Sequence, residues 1–265
     1  MDKLHTHVLN GRNVTYQLRG SGPPVLLLHA FPFSSRMWVG QLGSLAMKFT
    51  TAAVDFPGFG GSQALPEKSS TIEAFAEAAE AVAKKVNANE PWSVCGLSMG
   101  GYVAFEMVRR KKLTLRSLVL ANTRAVLDTS AQREARLLMI EKVRTEGAAA
   151  VAELMLPKML TPAAGRARRD RAKSWMLEAG QAGILGALNA LLTRPDPEPA
   201  LAHIHIPTLV IAGEHDPISP PAEMQAFAAK IQGSQYLQIH GAAHLSNYEK
   251  APEFENAVKR FLTQL

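Results

Sequence analysis

The hexapeptide Gly96-Leu97-Ser98-Met99-Gly100-Gly101 constrains this chain more than any other segment. It follows the apolar run Trp92-Ser93-Val94-Cys95 and precedes a helix-like stretch from Tyr102 to Arg110. A strand that turns at once into a helix needs glycine on both flanks, because a Cβ there would strike neighbouring backbone. A serine at the apex of such a turn projects its hydroxyl from the end of a sheet, and the amide of the following residue, here Met99, faces the same point. Gly-x-Ser-x-Gly alone is a common chance turn. With strand before and helix after, it makes Ser98 a candidate nucleophile.

A serine hydroxyl is too weak an acid to attack unaided, so a base and a group to orient that base are required. Two downstream segments offer them in order. Leu209-Val210-Ile211-Ala212-Gly213-Glu214-His215-Asp216-Pro217 is an apolar strand running into an acidic loop. Tyr236-Leu237-Gln238-Ile239-His240-Gly241-Ala242-Ala243-His244 is a strand running into a histidine loop. Both candidates follow a strand, where parallel α/β sheets place their functional loops. Asp216 and His244 are therefore the expected partners of Ser98. His240 is the competing base, but it continues the strand pattern and is expected to serve stability. Glu214 is the competing acid, expected to point away or cap its loop.

The remaining chain reads as a single large α/β domain with an insertion. At 265 residues it can bury a full core. A hairpin is expected from His5 to Leu9 and Val14 to Leu18 around Asn10-Gly11-Arg12-Asn13. Strand-like runs follow at Val25 to Leu28, Thr50 to Val54, Ser93 to Cys95, Ser117 to Ala121, Thr208 to Ala212 and Gln235 to Ile239. These runs are continuously apolar rather than alternating, the pattern of parallel strands covered on both faces. Ser70-Thr71-Ile72-Glu73 has the spacing of a capping box opening a helix with Phe75, Ala79, Val82 and Val86 on one face. Pro252 suits the first turn of a last helix, whose stripe runs through Phe254, Val258, Phe261, Leu262 and Leu265.

Alternation of strand and helix stops in residues 123–204, which divides the chain into a core of residues 1–122 and 205–265 and an inserted helical cap. Helical stretches there are broken near Gly147, Pro157, Pro162, Gly180 and Pro195. Met155, Met159, Trp175, Met176 and Leu188 are the candidate lining of a substrate pocket, against the simpler reading that each belongs to the insertion's own core.

These motifs together resemble the α/β-hydrolase superfamily, in the group of carboxylesterases, enol-lactonases and cofactor-free perhydrolases. The resemblance also includes His29-Ala30-Phe31-Pro32, Asp55-Phe56-Pro57-Gly58-Phe59-Gly60-Gly61-Ser62, and Gly241-Ala242-Ala243-His244 with Glu249 and Pro252 following. It implies a mostly parallel central sheet flanked by helices, a Ser98–Asp216–His244 triad, and an oxyanion hole from the amides of Phe31 and Met99. Ala30 departs from the pattern, since relatives usually carry glycine there. His29 is expected to support its loop and Asp55 to hold a tight turn rather than to react. The implied substrate is a small to medium ester or lactone, with no cofactor. A receptor or lyase that keeps the triad without hydrolysis is the reading from another class.

Other features are bland. The formal net charge is +6, yet basic residues are scattered, and the densest cluster, Arg166 to Lys173, has the spacing of a solvated helix face rather than a nucleic-acid site. His203-Ile204-His205 offers two imidazoles without a third ligand, so no metal is expected. Cys95 is the single cysteine, which precludes an intrachain disulfide, and its strand position marks it as a buried hydrophobe. The amino-terminal Met1 to Gly11 lacks an apolar core like that of a secretion signal, and no run approaches the ~20 apolar residues of a bilayer span. A cytoplasmic protein with neither membrane nor nucleic-acid partner is expected.

Overall fold

A computed structural model describes residues 4–265, so the part of the amino-terminal reading that falls on Met1 to Lys3 lies outside the described residues. Strands β1 (Leu4–Leu9) and β2 (Arg12–Arg19) pair antiparallel around a two-residue turn, Asn10-Gly11, with φ of 50° and 75°. Two successive positive φ values match the right-handed twist of a hairpin, which is why Asn-Gly suits it and why the turn is tighter than the expected four-residue connection.

The chain then alternates. Strand β3 (Pro24–Leu28) is followed by α1 (Val39–Leu45), β4 (Thr50–Val54), α2 (Ile72–Val86), β5 (Trp92–Leu97), α3 (Met99–Arg110) and β6 (Leu115–Ala121). Five helices come next without a strand: α4 (Ser130–Glu146), α5 (Ala149–Met159), α6 (Arg166–Leu177), α7 (Gln181–Leu192) and α8 (Glu198–Leu201). Strand β7 (Thr208–Gly213), α9 (Pro221–Ala228), β8 (Gln235–Ile239), α10 (Ser246–Glu249) and α11 (Ala251–Thr263) complete it. The eight strands form one sheet in the order β1-β2-β4-β3-β5-β6-β7-β8, parallel from β4 to β8.

Two apolar clusters sandwich this sheet, and successive strand residues alternate between them. Leu26, Val94, Leu118 and Val210 face α2, α3 and α9, whereas Leu27, Cys95, Val119 and Ile211 face α1 and α11. Covering both faces accounts for the apolar runs of the central strands, whereas the edge strand β8, with two glutamines, is only partly buried.

Local details depart from expectation in three places. Helix α2 is capped by Thr71, whose Oγ1 accepts from Ala74 N at 3.1 Å, while Ser70 Oγ turns to Pro66 O and Glu73 pairs with Arg110 at 2.8 Å. The expected Ser70–Glu73 box is therefore not formed; a capping box occurs instead between Thr129 and Gln132 at α4. Helix α11 ends at Thr263, so Leu265 leaves the apolar stripe and is exposed. Pro157 lies inside the last turn of α5, which stops two residues later at Met159, because the missing N–H weakens a turn without forbidding it near a terminus.

The helices α4 to α8 share the sheet's apolar clusters instead of closing a separate core. Ile184, Ala187 and Leu188 of α7 join the α2/α3 side, whereas Met159, Trp175 and Met176 of α5 and α6 join the α1/α11 side. Helix α7 passes so close to the loop after β4 that a Cβ on Gly183 would sit 2.0 Å from Gly58 O. The ends of the α4–α8 segment are clamped by Arg194 and Asp128, 2.8 Å apart and both 2% exposed, with the guanidinium carbon 4.6 Å from the Tyr102 ring centroid. Burial opposes the Asp128 charge, but hydrogen bonds from Arg194 and Arg136 outweigh it and hold its pKa well below the usual carboxylate range.

Candidate active site

Ser98 occupies the apex between β5 and α3 with φ 56° and ψ −111°, a conformation that side chains other than glycine rarely adopt. Keeping a serine there costs of order 1–3 kcal/mol, so the surroundings must enforce it. They do so through backbone and space. Ser98 N donates to Ala121 O at 3.0 Å, and Thr123 Oγ1 donates to Ser98 O at 2.9 Å. A Cβ on Gly96 would meet Gly100 O at 2.2 Å, one on Gly100 would meet Leu28 O at 2.1 Å, and one on Gly101 would meet Thr123 Oγ1 at 2.4 Å. The glycines are thus required by close approach, and the positive φ is carried by the serine itself. Its side chain is partly exposed, and its hydroxyl makes no hydrogen bond among the described residues.

Asp216 and His244 come together from the loops after β7 and β8. His244 Nδ1 lies 2.8 Å from Asp216 Oδ2, with side chains 1% and 0% exposed. Asp216 Oδ2 also accepts from Ser219 Oγ and from Asn122 Nδ2, each at 2.9 Å, while Oδ1 accepts the amides of Ile218 at 2.8 Å and Ser219 at 3.1 Å. Burial by itself would raise this carboxyl's pKa; the His244 imidazole and the hydrogen bonds from His244, Asn122 and Ser219 outweigh burial and hold it below the ordinary value. An ionised acid on Nδ1 fixes the ring as the tautomer protonated there and leaves Nε2 as the basic nitrogen.

The competing groups take no part in the His244–Asp216 pair. His240 lies beyond the end of β8 with its side chain 79% exposed, so it is not the strand residue expected to support the core. Glu214 accepts from Gly241 N at 2.8 Å, on the loop after β8 rather than on its own loop. His203 and His205 are exposed on either side of buried Ile204, and among the described residues no group of three His, Cys, Asp or Glu is placed to hold a metal ion. The basic run 166–173 forms the outward face of α6. Cys95 is buried, and burial pushes its thiol pKa up.

The loop after β3 is shaped by two buried titratable side chains. His29 Nε2 accepts from Phe56 N at 3.0 Å, so Nδ1 carries the proton and donates to Ala30 O at 3.0 Å. Its burial between Phe56 and Phe59 lowers its pKa from 6.5 to about 4. Asp55 accepts from Ser35 N at 2.8 Å and from Thr15 Oγ1 at 2.7 Å, tying this loop to β2; burial raises its pKa despite those donors. Ala30 is buried without a positive φ, so its methyl is accommodated where relatives usually carry glycine. The N–H groups of Phe31 and Met99 donate to no acceptor among the described residues.

Of the candidate pocket residues, Met159 is fully buried and Trp175 and Met176 nearly so, the positions of core side chains. Met155 is partly buried and packs against both apolar clusters. Leu188 is fully buried on the α2/α3 side. The partners Ser219 and Ser246 carry no signal as site residues in the sequence. Asn122 ends β6 at φ 44°, and its Oδ1 accepts from Ser246 Oγ at 2.5 Å; a polar residue directly after an apolar strand was the available signal.

A parallel sheet with a serine at a strained strand–helix turn and a buried acid–histidine pair on later loops defines a hydrolase of the α/β type. The chain belongs to the alpha/beta hydrolase fold family, whose model matches residues 23–251. It superposes on a thermophilic esterase from Thermogutta terrifontis, determined with malate bound, with a TM-score of 0.93 and 32% identity over 99% of this chain and 98% of that one. The enol-lactonase from Burkholderia xenovorans LB400 superposes with a TM-score of 0.89 and 26% identity, over 98% of this chain and 100% of that one. Among curated sequences, 3-oxoadipate enol-lactonase 1 of Acinetobacter baylyi is 24% identical over 272 residues, covering 100% of both chains. In the described residues no helix is long and apolar enough to cross a membrane.

Proposed function

We propose that this protein is a serine hydrolase that cleaves small to medium carboxylic esters through an acyl-enzyme on Ser98. The reading is carried by the buried His244 Nδ1–Asp216 Oδ2 contact of 2.8 Å, which leaves Nε2 as the ring's basic nitrogen. His244 Nε2 takes the proton from Ser98 Oγ as the oxygen attacks the ester carbonyl, and Asp216 stabilises the imidazolium that results. The tetrahedral oxygen is received by the amides of Phe31 and Met99, which have no other acceptor among the described residues. Such donors contribute about 3 kcal/mol each to the transition state. His244 then protonates the leaving alcohol, and water activated by the same ring hydrolyses the acyl-enzyme.

Residues 123–204 act as a cap over this site, with Met155, Met159 and Trp175 as the proposed substrate-side residues. Enol-lactone hydrolysis is the second reading, favoured by full-length similarity to proteins named as enol-lactonases. One triad serves both substrates, since a lactone is a cyclic ester whose leaving oxygen stays tethered. Parallel kcat/KM measurements on p-nitrophenyl esters of increasing acyl length and on an unsaturated lactone distinguish them. Turnover of linear esters alone supports the esterase, whereas a strong preference for the lactone supports the second reading. No turnover of either class, with Ser98 inert to an organophosphate, contradicts both.

A further inference from the structure

Glu249 is a buried acid that the proposed chemistry does not use. It is 4% exposed at the end of α10, and its carboxylate bridges two segments. Oε2 accepts from the amide of Ala243, the residue before His244, at 2.8 Å. Oε1 accepts from the amide of Thr161 at 2.9 Å and in a short contact from the Thr161 hydroxyl, just after α5 of the insertion. On the other side of the histidine, Leu245 N donates to Met159 O at 2.9 Å. A third link is the edge contact of Trp175 on α6 with Tyr248 on α10, ring centroids 4.9 Å apart. The residues immediately before and after His244 are therefore both hydrogen-bonded into a bracket that ends on the insertion.

We propose that Glu249 is a positioning residue that makes the placement of His244 depend on docking of the α5–α6 part of the insertion. The proposal rests on His244 being the base. A carboxylate satisfies three donors at once here, and its two oxygens face opposite segments, so no neutral side chain reproduces the pattern. Glutamine presents an NH2 group to one set of donors, which leaves an amide or a hydroxyl in a buried donor–donor conflict. The backbone on the amino-terminal side of the imidazole then loses its restraint, although Asp216 still holds Nδ1. Loss of docking has the same consequence from the other end, because the insertion supplies the Thr161 donors and the Met159 acceptor.

The test uses the full chain with Glu249→Gln, Thr161→Val and Thr161→Ser. Each variant is measured for kcat and KM on p-nitrophenyl acetate, for the pH profile of kcat/KM, for Tm, and for the low-field imidazole proton of the His244–Asp216 pair by 1H NMR. Glu249→Gln is expected to lower kcat roughly 10- to 100-fold, the worth of a hydrogen bond to a charged group, with KM little changed. The NMR signal should broaden or shift, and the pH profile should move with it. Thr161→Val, which leaves the Ala243 bond intact, should act in the same direction by roughly 3- to 10-fold, and Thr161→Ser should restore wild-type behaviour. A folded Glu249→Gln enzyme with wild-type kcat, pH profile and NMR signal overturns the proposal. If that variant does not fold, Thr161→Val decides alone: wild-type kcat and spectrum overturn the link to the insertion. The NMR signal reads His244 placement whether or not the chosen ester is turned over, so failure of this proposal is separable from failure of the esterase reading.

Discussion

His244 and Asp216, 28 residues apart in the chain, meet at 2.8 Å with almost no solvent on either side chain. Five donors converge on the Asp216 carboxylate, three on the oxygen that faces the imidazole. Asp216→Asn keeps the size but removes the charge and favours the wrong histidine tautomer. It should lower kcat by about 10⁴ with the fold retained, by analogy with the serine-protease triad. Steady-state kinetics and near-UV circular dichroism on the same preparation check this.

The neighbouring pair should behave differently. Glu214→Gln removes a charge but keeps an oxygen able to accept from Gly241 N, and His240→Ala removes a side chain 79% exposed. Both variants should stay within a few-fold of wild-type activity and unfold in urea with a midpoint close to that of wild type. A large kinetic loss in Glu214→Gln combined with a mild Asp216→Asn would move the acid to Glu214.

Acid should destabilise the fold through His29. Its folded-state pKa is lowered to about 4 from 6.5 by burial. Above pH 6.5 it is neutral in both states; between pH 6.5 and about 4 the unfolded chain takes up a proton that the folded one refuses, so stability falls as pH falls across that window. The full loss is about 3 kcal/mol. Asp55, whose pKa is raised by burial, works in the opposite sense because the folded state binds its proton more readily. Urea unfolding at several pH values for wild type and His29→Gln isolates the term: the variant should be less stable at pH 8 yet flatter below 6.5. Equal slopes would assign the acid sensitivity elsewhere.

Selectivity should follow the less buried of the proposed cap's side chains. Met155 packs only partly against the two clusters, so Met155→Ala is expected to shift the preferred acyl length, at ~1–3 kcal/mol per methylene of pocket. Met159 is fully buried and Trp175 nearly so, and truncating either to Ala should cost stability as well, about 2–5 kcal/mol. A kcat/KM series over linear esters, with urea unfolding of each variant, separates the two effects. An unchanged chain-length profile in all three would place the pocket lining elsewhere.

The extent to which this architecture was legible varies with how locally it is encoded. The parallel strands announced themselves because both faces of the sheet are covered, and Ser98 did because its glycines are demanded by backbone contacts within a few ångström. Asp216 and His244 were legible as loop residues after strands. Their shell was not: Asn122 reaches Asp216 across 94 residues and Ser246 reaches Asn122 across 124. Side chains that meet only after the sheet is assembled leave no periodic trace. The α2 cap misled for a related reason, since Glu73 is drawn to Arg110 on α3 rather than back to its own helix terminus. His240 misled because a histidine after a strand looks the same in sequence whether the strand ends before it or with it.

Ser98 as nucleophile is decided by covalent labelling. The enzyme is incubated with a p-nitrophenyl phosphonate, released p-nitrophenol is counted against enzyme, and the labelled peptide is located by mass spectrometry in wild type and Ser98→Ala. One equivalent of p-nitrophenol per active chain is expected, with the phosphonyl group on Ser98, and with both labelling and ester turnover abolished in a Ser98→Ala variant of unchanged Tm. Stoichiometric labelling at another residue, or ester turnover that persists in folded Ser98→Ala, would contradict it.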